Sequence, residues 1–192
     1  MNTSDARVRY TRMVIQQAFF DLLREKPVSR ITVKELCQRC EINRATFYRH
    51  YQDPFDLLEK AEEEVLRNLH QAVVQNVSQG ATTDFGTFLL STLKHLQESG
   101  DIYLLLGSEN GDPTFPVRVF MTCYQSVYPD FEQRMQGMPA ARKRLLYYFL
   151  SQGCSGVMSY WFNSGMEESP EEVSEFIMDA SSILTTGFSQ RV

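Results

Sequence analysis

Apolar residues recur at helical spacing along most of the chain, and no stretch alternates cleanly as a strand between hairpin turns would. From about Ser4 to Lys26 they fall on one face of a helix, at Ile15, Ala18, Phe19, Leu22 and Leu23. A second long run opens at Asp53-Pro54, where Asp is a good N-cap and Pro suits the first helical position, and continues to about Asn76. The pattern predicts an all-α protein.

Two short helices are predicted between these long ones. Thr32 and Glu35 form a capping box, in which each side chain accepts the backbone N–H of the other residue. Asn43 is a second N-cap and predicts a helix over about residues 44–51. Ile42 and Phe47 are spaced to pack against the first short helix, as in a helix-turn-helix. The outer face of the second helix would then carry Arg44, Thr46, Tyr48, Arg49 and His50.

These outward residues have the chemistry that binds a nucleic-acid duplex. Guanidinium groups bind phosphates and guanine edges, and hydroxyl groups bind phosphate oxygens. A short amphipathic helix with two arginines is also common as a solvated surface. The local pattern alone leaves both interpretations open.

The distribution of charge favours the first interpretation. The chain of 192 residues has a net charge of -5. Residues 1–55 hold 10 Lys and Arg against 6 Asp and Glu, a charge of +4, whereas the remainder holds 9 against 18, a charge of -9. Attraction to DNA would therefore be local to the N-terminal part.

The remainder of the chain is also predicted to be helical. We expect two domains: an N-terminal helix-turn-helix domain of residues 1–55 and a helical domain of residues 56–192. Helices are expected over Phe85–Ser99, Asp101–Ser108 and Pro116–Gln136, the last kinked at Tyr128-Pro129. Ser169-Pro-Glu-Glu172 opens a final helix with a capping box. The preceding helix carries Leu145, Phe149, Gly153, Gly156, Tyr160 and Trp161 along one side.

The last two helices are strongly apolar and allow two arrangements. They could complete a core within one chain, or they could meet their symmetry mates in a four-helix bundle. A homodimer through these helices suits a helix-turn-helix protein, because one such motif reads only half of a palindromic site.

Other classes of function find little support in the sequence. Cys37 and Cys40 have the spacing of half a zinc site, but no second Cys or His pair completes it, so no metal or cofactor is expected. There is no Gly-rich phosphate loop or nucleophile elbow, and His50, His70 and His95 fall on separate predicted helices, so we do not expect an enzyme. No apolar run is long enough to span a membrane, and a cytoplasmic protein with reduced thiols is expected.

Four segments, Ile31-Thr-Val-Lys-Glu-Leu36, Asn43-Arg-Ala-Thr-Phe-Tyr48, His50-Tyr51 and Asp53, resemble the N-terminal DNA-binding domain of the tetracycline-repressor (TetR, AcrR-like) family. The likeness covers roughly residues 10–60. Trp161-Phe-Asn-Ser-Gly165 and Ser169-Pro-Glu-Glu172 are similar to a subgroup that includes regulators of the dihydroxyacetone-kinase (DhaS-like) type.

The resemblance implies a three-helix DNA-binding domain joined by a long helix to a C-terminal helical domain for dimerisation and ligand binding. It places Phe47 and Tyr51 in the core. It implies contacts with double-stranded operator DNA at matching positions: Thr32 at a phosphate, Asn43, Arg44 and Ala45 near base edges, and Thr46, Tyr48 and His50 at bases or backbone.

The chain departs from the family pattern at two places. Many members have Ala-Gly in the turn where this chain has Cys40-Glu41, so the turn must accept a side chain and a negative charge. Many also have Lys after Asp53, where Pro54 offers neither an amide N–H nor an ammonium group to a phosphate. Both departures are expected to weaken DNA binding.

We therefore expect a homodimeric transcriptional repressor that is released from DNA by a small-molecule effector. Aromatic residues that would line an effector cavity are Phe88, Tyr103, Phe120, Tyr124, Tyr147 and Trp161, for each of which a plain core role is the alternative. The alternative function is a protein-interacting co-activator of the same fold without a small-molecule ligand.

Overall fold

The computed structural model describes residues 3–78, 85–98, 100–124, 131 and 135–189, and the regular secondary structure within them is helical throughout. The elements are α1 (Thr3–Glu25), a 3-10 turn (Val28–Arg30), α2 (Val33–Arg39), α3 (Arg44–Tyr48), α4 (Pro54–Ser78), α5 (Phe85–Glu98), α6 (Gly100–Leu106), α7 (Phe115–Tyr124), α8 (Ala140–Asn163) and α9 (Pro170–Ser189). The prediction of an all-α fold is confirmed.

The region between α7 and α8 differs from its prediction. A helix was expected to continue to Gln136, but Met135 and Gln136 lie in a turn, and Gly137 has a φ of 88°. A left-handed residue of this kind ends helical structure, and glycine adopts it without steric cost. The predicted kink at Tyr128-Pro129 lies outside the described residues.

The first compact unit comprises the chain up to Val65 together with Leu105–Pro113. It extends past the predicted domain boundary at residue 55 and includes the first part of α4. Its core contains the fully buried side chains of α1, α2 and α3, namely Ile15, Phe19, Leu23, Leu36 and Phe47. Truncating one such side chain to Ala typically costs about 2–5 kcal/mol, so this small core fixes the arrangement of the short helices.

Residues 105–113 join this unit through hydrogen bonds that the sequence did not reveal. The side-chain amide of Asn110 donates from Nδ2 to the carbonyl oxygen of Leu23 at 2.9 Å. The carbonyl oxygen of Asn110 accepts from the backbone amide of Val28 at 2.8 Å. Asn110 thus supplies a partner to the last turn of α1, where carbonyl groups have no partner within the helix.

The second compact unit comprises Leu66–Leu104 and Thr114–Val192. Within it α7 packs along α8, and α5 packs along α9. The predicted capping box at the start of α9 is confirmed: Ser169 Oγ accepts from the amide of Glu172 at 3.2 Å, and Glu172 Oε2 accepts from the amide of Ser169 at 2.9 Å.

Large apolar side chains lie on the outside of the second unit, along α8 and α9. Leu145, Phe149 and Tyr160 of α8 are 72%, 64% and 64% exposed. We call this surface the apolar face and define it by Leu145, Phe149, Gly153, Gly156 and Tyr160 of α8 with Phe176 and Ile183 of α9. Single exposed apolar residues are ordinary, but a contiguous row at helical spacing marks an interaction surface.

Trp161 does not belong to this face, although the sequence pattern placed it on the same side as Tyr160. Its side chain is fully buried, and its indole Nε1–H donates to the carbonyl oxygen of Glu168 at 2.8 Å. A step of one residue turns a helix by about 100°, which carries Trp161 into the core while Tyr160 faces outward.

Candidate nucleic-acid interface

The first of the two short helices begins at the predicted capping box. Glu35 N donates to Thr32 Oγ1 at 3.3 Å, and Thr32 N donates to Glu35 Oε2 at 3.0 Å. The Thr32 hydroxyl also donates to Glu35 Oε2 at 2.7 Å, and Lys26 Nζ binds the other carboxylate oxygen. The hydrogen bonds from Lys26 and then Thr32 lower the pKa of Glu35 to about 2, so the box keeps its charge at any physiological pH.

The turn after α2 uses a left-handed residue that is not glycine. Glu41 has a φ of 53°, and the chain returns through a hydrogen bond from Ile42 N to Cys37 O at 3.0 Å. The amide of Cys40 donates to Leu36 O at 3.1 Å, which closes the last turn of α2. The structure therefore places the first departure from the family pattern at a residue whose backbone conformation favours glycine.

Asn43 caps the second short helix, as predicted. Its Oδ1 accepts from the backbone amide of Thr46 at 2.8 Å and from the Thr46 hydroxyl at 3.1 Å. α3 ends at Tyr48 rather than at the predicted Tyr51. The amide of His50 donates a hydrogen bond to Phe47 O, three residues earlier, at 2.9 Å, which is the pattern of a turn.

Two aromatic side chains fix α3 against the core. Phe47 is fully buried and Tyr51 is 3% exposed, and their ring centroids lie 5.8 Å apart. The prediction that both residues belong to the core is confirmed. Because Phe47 anchors one side of α3, the opposite side is directed to solvent.

That opposite side carries four of the residues singled out from the sequence. Arg44, Ala45, Tyr48 and Arg49 are exposed, and Tyr48 has 57% of its surface open to solvent. Thr32 and Asn43 are also exposed, but their oxygen atoms already serve as helix caps. Arg44, Ala45, Tyr48 and Arg49 are thus exposed side chains of the second helix and its end, whereas Thr32 and Asn43 hold the two helices in shape as caps.

His50 lies beside two arginines, one of which comes from α1. It is half-buried, and burial together with the positive charges of Arg12 and Arg49 lowers its pKa. Because the charge of Arg12 acts on His50, a cation of α1 lies near the end of α3. Arg12 is the last of three arginines, Arg7, Arg9 and Arg12, that precede the apolar stripe of α1 in the sequence.

Side chains at the start of α4 form hydrogen bonds with the backbone of residues 50–52, which follow α3. Asp56 Oδ2 accepts from Gln52 N at 2.8 Å and from Lys60 Nζ at 2.8 Å, and Lys60 Nζ also donates to the carbonyl oxygen of His50 at 3.2 Å. Asp53 Oδ1 caps α4 by accepting from Asp56 N at 2.9 Å. The position of His50 is therefore set by a helix that begins after it in the sequence.

The aromatic residues proposed to line an effector cavity lie in the second unit. Tyr103, Phe120 and Trp161 are buried, and Tyr147 is half-buried with its ring 5.6 Å from that of Phe131. The Tyr103 ring stacks on the Phe115 ring, with the two ring centroids 6.3 Å apart. The side chains of Phe88 and Tyr124 lie outside the described part of the structure. Tyr103 therefore packs within the core, whereas Trp161 also lines a groove between α8 and α9.

Metal and membrane sites find no support in the described part of the chain. Among the described residues, no three His, Cys, Asp or Glu side chains are grouped so as to hold a metal ion. Cys37 is buried and Cys40 half-buried, and burial raises the pKa of both thiols. No helix within the described ranges has the length and apolar character needed to cross a membrane.

Two short helices joined by a tight turn, the second anchored by a buried Phe and exposing arginines, define a helix-turn-helix protein. Residues 83–182 match the TetR family domain described as a transcriptional regulator C-terminal region. The chain belongs to the TetR family of transcriptional regulators. The predicted family resemblance is confirmed, and since the family consists of regulators and not enzymes, so is the expectation that the chain is not an enzyme.

Similar proteins agree with this assignment. The chain is 26% identical over 170 residues to YxbF, an uncharacterized HTH-type transcriptional regulator of Bacillus subtilis (strain 168). That match covers 87% of this chain and 43% of YxbF, so the chain spans less than half the length of this curated relative.

Solved structures share the fold over nearly the whole chain. A TetR transcriptional regulator from Streptococcus agalactiae 2603V superposes with a TM-score of 0.69 at 25% identity, covering 93% of this chain and 97% of that one. The dihydroxyacetone kinase operon activator DhaS superposes with a TM-score of 0.60 at 19% identity, covering 92% and 96% of the two chains. At 19% identity, the likeness to DhaS shows a shared fold and nothing more.

Proposed function

We propose that the chain represses transcription in the cytoplasm as a homodimer bound to a palindromic operator. One observation carries the proposal: the face of α3 opposite the buried Phe47 exposes Arg44, Tyr48 and Arg49 together. Guanidinium and phenol groups on a short, rigidly anchored helix suit the major groove of DNA.

The roles within this surface divide according to which atoms are already used. Arg44 and Ala45 at the start of α3 would contact base edges, and Tyr48 and His50 would contact bases or backbone. Oδ1 of Asn43 accepts hydrogen bonds from Thr46, so a base contact from Asn43 would come from its Nδ2 group. The hydroxyl hydrogens of Thr32 and Thr46 are already donated to Glu35 and Asn43, so either hydroxyl would have to rotate away from its cap to donate to a phosphate.

The first experiment is selection of bound sequences from random duplexes, followed by titration of the selected site at several salt concentrations. We expect sequence-dependent, salt-sensitive binding. Arg44→Ala should relax preference at one base pair by about 1–3 kcal/mol. Arg24→Ala is a matched control, since Arg24 is an exposed arginine of the same unit that pairs with Asp21 at 3.4 Å.

Tyr48 gives a second test of the same surface. Tyr48→Ala should weaken operator binding while helical content and dimerisation stay unchanged. Tyr48→Phe removes only the hydroxyl and distinguishes a hydrogen bond from an aromatic contact. Unchanged affinity of Tyr48→Ala would exclude this face as the reading surface.

The homodimer is supported by the apolar face. Its exposed Leu145, Phe149 and Ile183 would be covered by a second copy, whereas a monomer would leave them in water. Light scattering coupled to size exclusion is expected to give twice the mass of the chain. A monomer at micromolar concentration would contradict this part of the proposal.

Release by a small-molecule effector is the last part. This part follows from the family resemblance: the buried rings of Tyr103, Phe115 and Phe162 pack against one another, and an apolar ligand bound there would displace them. A compound that raises the Tm and lowers operator affinity in the same concentration range would identify the effector. If no sequence-dependent DNA binding is found, the protein-interacting co-activator becomes the better description.

A further inference from the structure

The apolar face has an uneven profile along α8 that constrains how two copies can meet. Leu145 and Phe149 project at one end and Tyr160 at the other, all more than half exposed. Between them, a Cβ built at Gly153 or Gly156 would meet nothing within 4 Å. The helix therefore presents large side chains toward its ends and hollows near its middle.

A groove adjoins these hollows. It has a volume of about 640 Å³, lies between α8 and α9, and is lined by Gly153, Gly156, Val157, Val173 and Phe176 among others. Two carboxylates, from Glu168 and Glu172, also line it. A groove of this size and composition accepts a large apolar side chain such as phenylalanine.

Two copies related by a twofold axis can set their α8 helices parallel or antiparallel. In the parallel arrangement Phe149 would face Phe149 of the partner subunit, and the glycine hollows would face each other. In the antiparallel arrangement centred beside Gly153, Phe149 faces Gly156 of the partner subunit, and Leu145 faces Tyr160 of the partner subunit. The two Phe149 contacts then lie about 10 Å apart along the helix, since each residue rises about 1.5 Å.

Charge selects the same arrangement independently. The first turns of α8 carry Arg142, Lys143 and Arg144, and Glu167 and Glu168 follow shortly after its end at Asn163. Antiparallel helices bring the basic end of each subunit to the acidic end of the other. Parallel helices would oppose like charges at both ends, which is unfavourable at an interface.

We propose that the dimer packs its α8 helices antiparallel about Gly153, with Phe149 of each subunit seated in the groove over Gly156 of the partner subunit. This inference rests on the proposed homodimer and adds its orientation and register. Phe149 and Gly156 are then the residues that determine recognition between copies, each matched to the other across the twofold axis.

The first test exchanges bulk between the two positions. Gly156→Leu fills the hollow in both contacts and should weaken the dimer by about tenfold or more, and Phe149→Ala empties both contacts. When the two variants are mixed with different tags, one contact is native, and in the other the introduced leucine meets the introduced alanine at restored volume. Native mass spectrometry should therefore show the mixed dimer above its statistical share.

The second test reads orientation directly. Leu145→Cys and Tyr160→Cys chains, mixed under mild oxidation, should form an intersubunit disulfide, with the wild-type chain as control for its native cysteines. Leu145→Cys alone should not cross-link to itself. Circular dichroism checks folding, and the exposed, open position of Gly156 makes Leu tolerable in the monomer.

The outcomes separate this inference from the proposed function. A wild-type monomer would overturn the homodimer itself. A wild-type dimer in which Gly156→Leu dimerises normally, or in which Leu145→Cys links to itself, would overturn the antiparallel register and leave the homodimer standing.

Discussion

Replacing Glu41 by glycine is expected to stabilise the protein. Glu41 is exposed, and its φ of 53° lies in the left-handed region, where the Cβ of an L-residue crowds the backbone. That conformation costs about 1–2 kcal/mol for a residue other than glycine. Glycine also lowers the free energy of unfolding by about 0.5–1 kcal/mol, because it gives the unfolded chain more conformational freedom. The net gain in the free energy of unfolding is therefore about 0.75 kcal/mol at the midpoints of these ranges, and between about 0 and 1.5 kcal/mol at their limits.

The same substitution should tighten binding to DNA, because it removes a carboxylate from the turn that precedes α3. At a distance of roughly 10 Å in water, one carboxylate and one phosphate repel by about 0.4 kcal/mol. Two half-sites would give about a fourfold gain in affinity at low salt, and screening should reduce it strongly at 0.15 M salt, where the Debye length is about 8 Å.

Two control variants separate strain from charge. Glu41→Gln removes the charge and keeps the side chain in the left-handed conformation, so it should gain affinity without gaining stability. Glu41→Ala should likewise remain strained. Urea unfolding measures stability, and fluorescence anisotropy with labelled operator measures affinity. If Glu41→Gln is stabilised as much as Glu41→Gly, backbone strain at this turn is not the cause.

Three further predictions concern the same unit. Thr32→Ala should lower the free energy of unfolding by about 1 kcal/mol through loss of the cap, and Thr32→Ser should retain it in urea unfolding. The lowered pKa of His50 means that stability is complete above about pH 6.5 and falls as the pH drops from there through the folded pKa; His50→Gln should flatten that part of the profile. Gly111→Ala should lower the Tm, because its Cβ would lie 2.2 Å from the carbonyl oxygen of Leu106.

The helix-turn-helix was predictable because its determinants are local. Thr32 with Glu35, and Asn43 with the amide of Thr46, form caps within four residues, and the structure contains each of them. The periodicity of α1 also identified its buried positions, since one face of a long helix is recorded in its spacing. Local signals of this kind act the same way in many tertiary contexts.

The end of α3 was not predictable for the opposite reason. Nothing in residues 49–51 opposes a helix, but two side chains of the next helix bind this segment: Lys60 Nζ donates to His50 O, and Asp56 Oδ2 accepts from Gln52 N. Those contacts stabilise a turn that propensity alone would not select. The docking of Asn110 onto Leu23 O is a more distant case, since it joins groups 87 positions apart.

The spacing of apolar residues also could not show which side chains of α8 face the core and which face solvent. An apolar sector that is wide enough for both a core and a dimer contact includes Tyr160 and Trp161 alike. The tertiary structure decides it: Trp161 is fully buried with its indole N–H bonded to the carbonyl oxygen of Glu168, whereas Tyr160 is 64% exposed. Glycines at 153 and 156 were a usable signal, because a helix tolerates their cost of about 1 kcal/mol each more readily where a second surface approaches closely.

Salt dependence offers a test of the second departure from the family pattern. Pro54 is buried at the first position of α4 and has no N–H to donate. Pro54→Lys restores an amide and adds an ammonium group, whose flexible stem can extend to solvent from a buried position. Pro54→Ala restores the amide alone and is the matched control.

The two variants should differ in slope and not only in affinity. Each new phosphate contact by a cation steepens the dependence of log affinity on log salt by about 0.9, hence by about 1.8 for a dimer with two heads. Pro54→Ala adds no charge and should keep the wild-type slope, even if its amide raises affinity. An equal slope for wild type and Pro54→Lys would mean that the start of α4 does not face a phosphate. The missing lysine would then be irrelevant to binding, and the acidic Glu41 would be the departure that limits affinity.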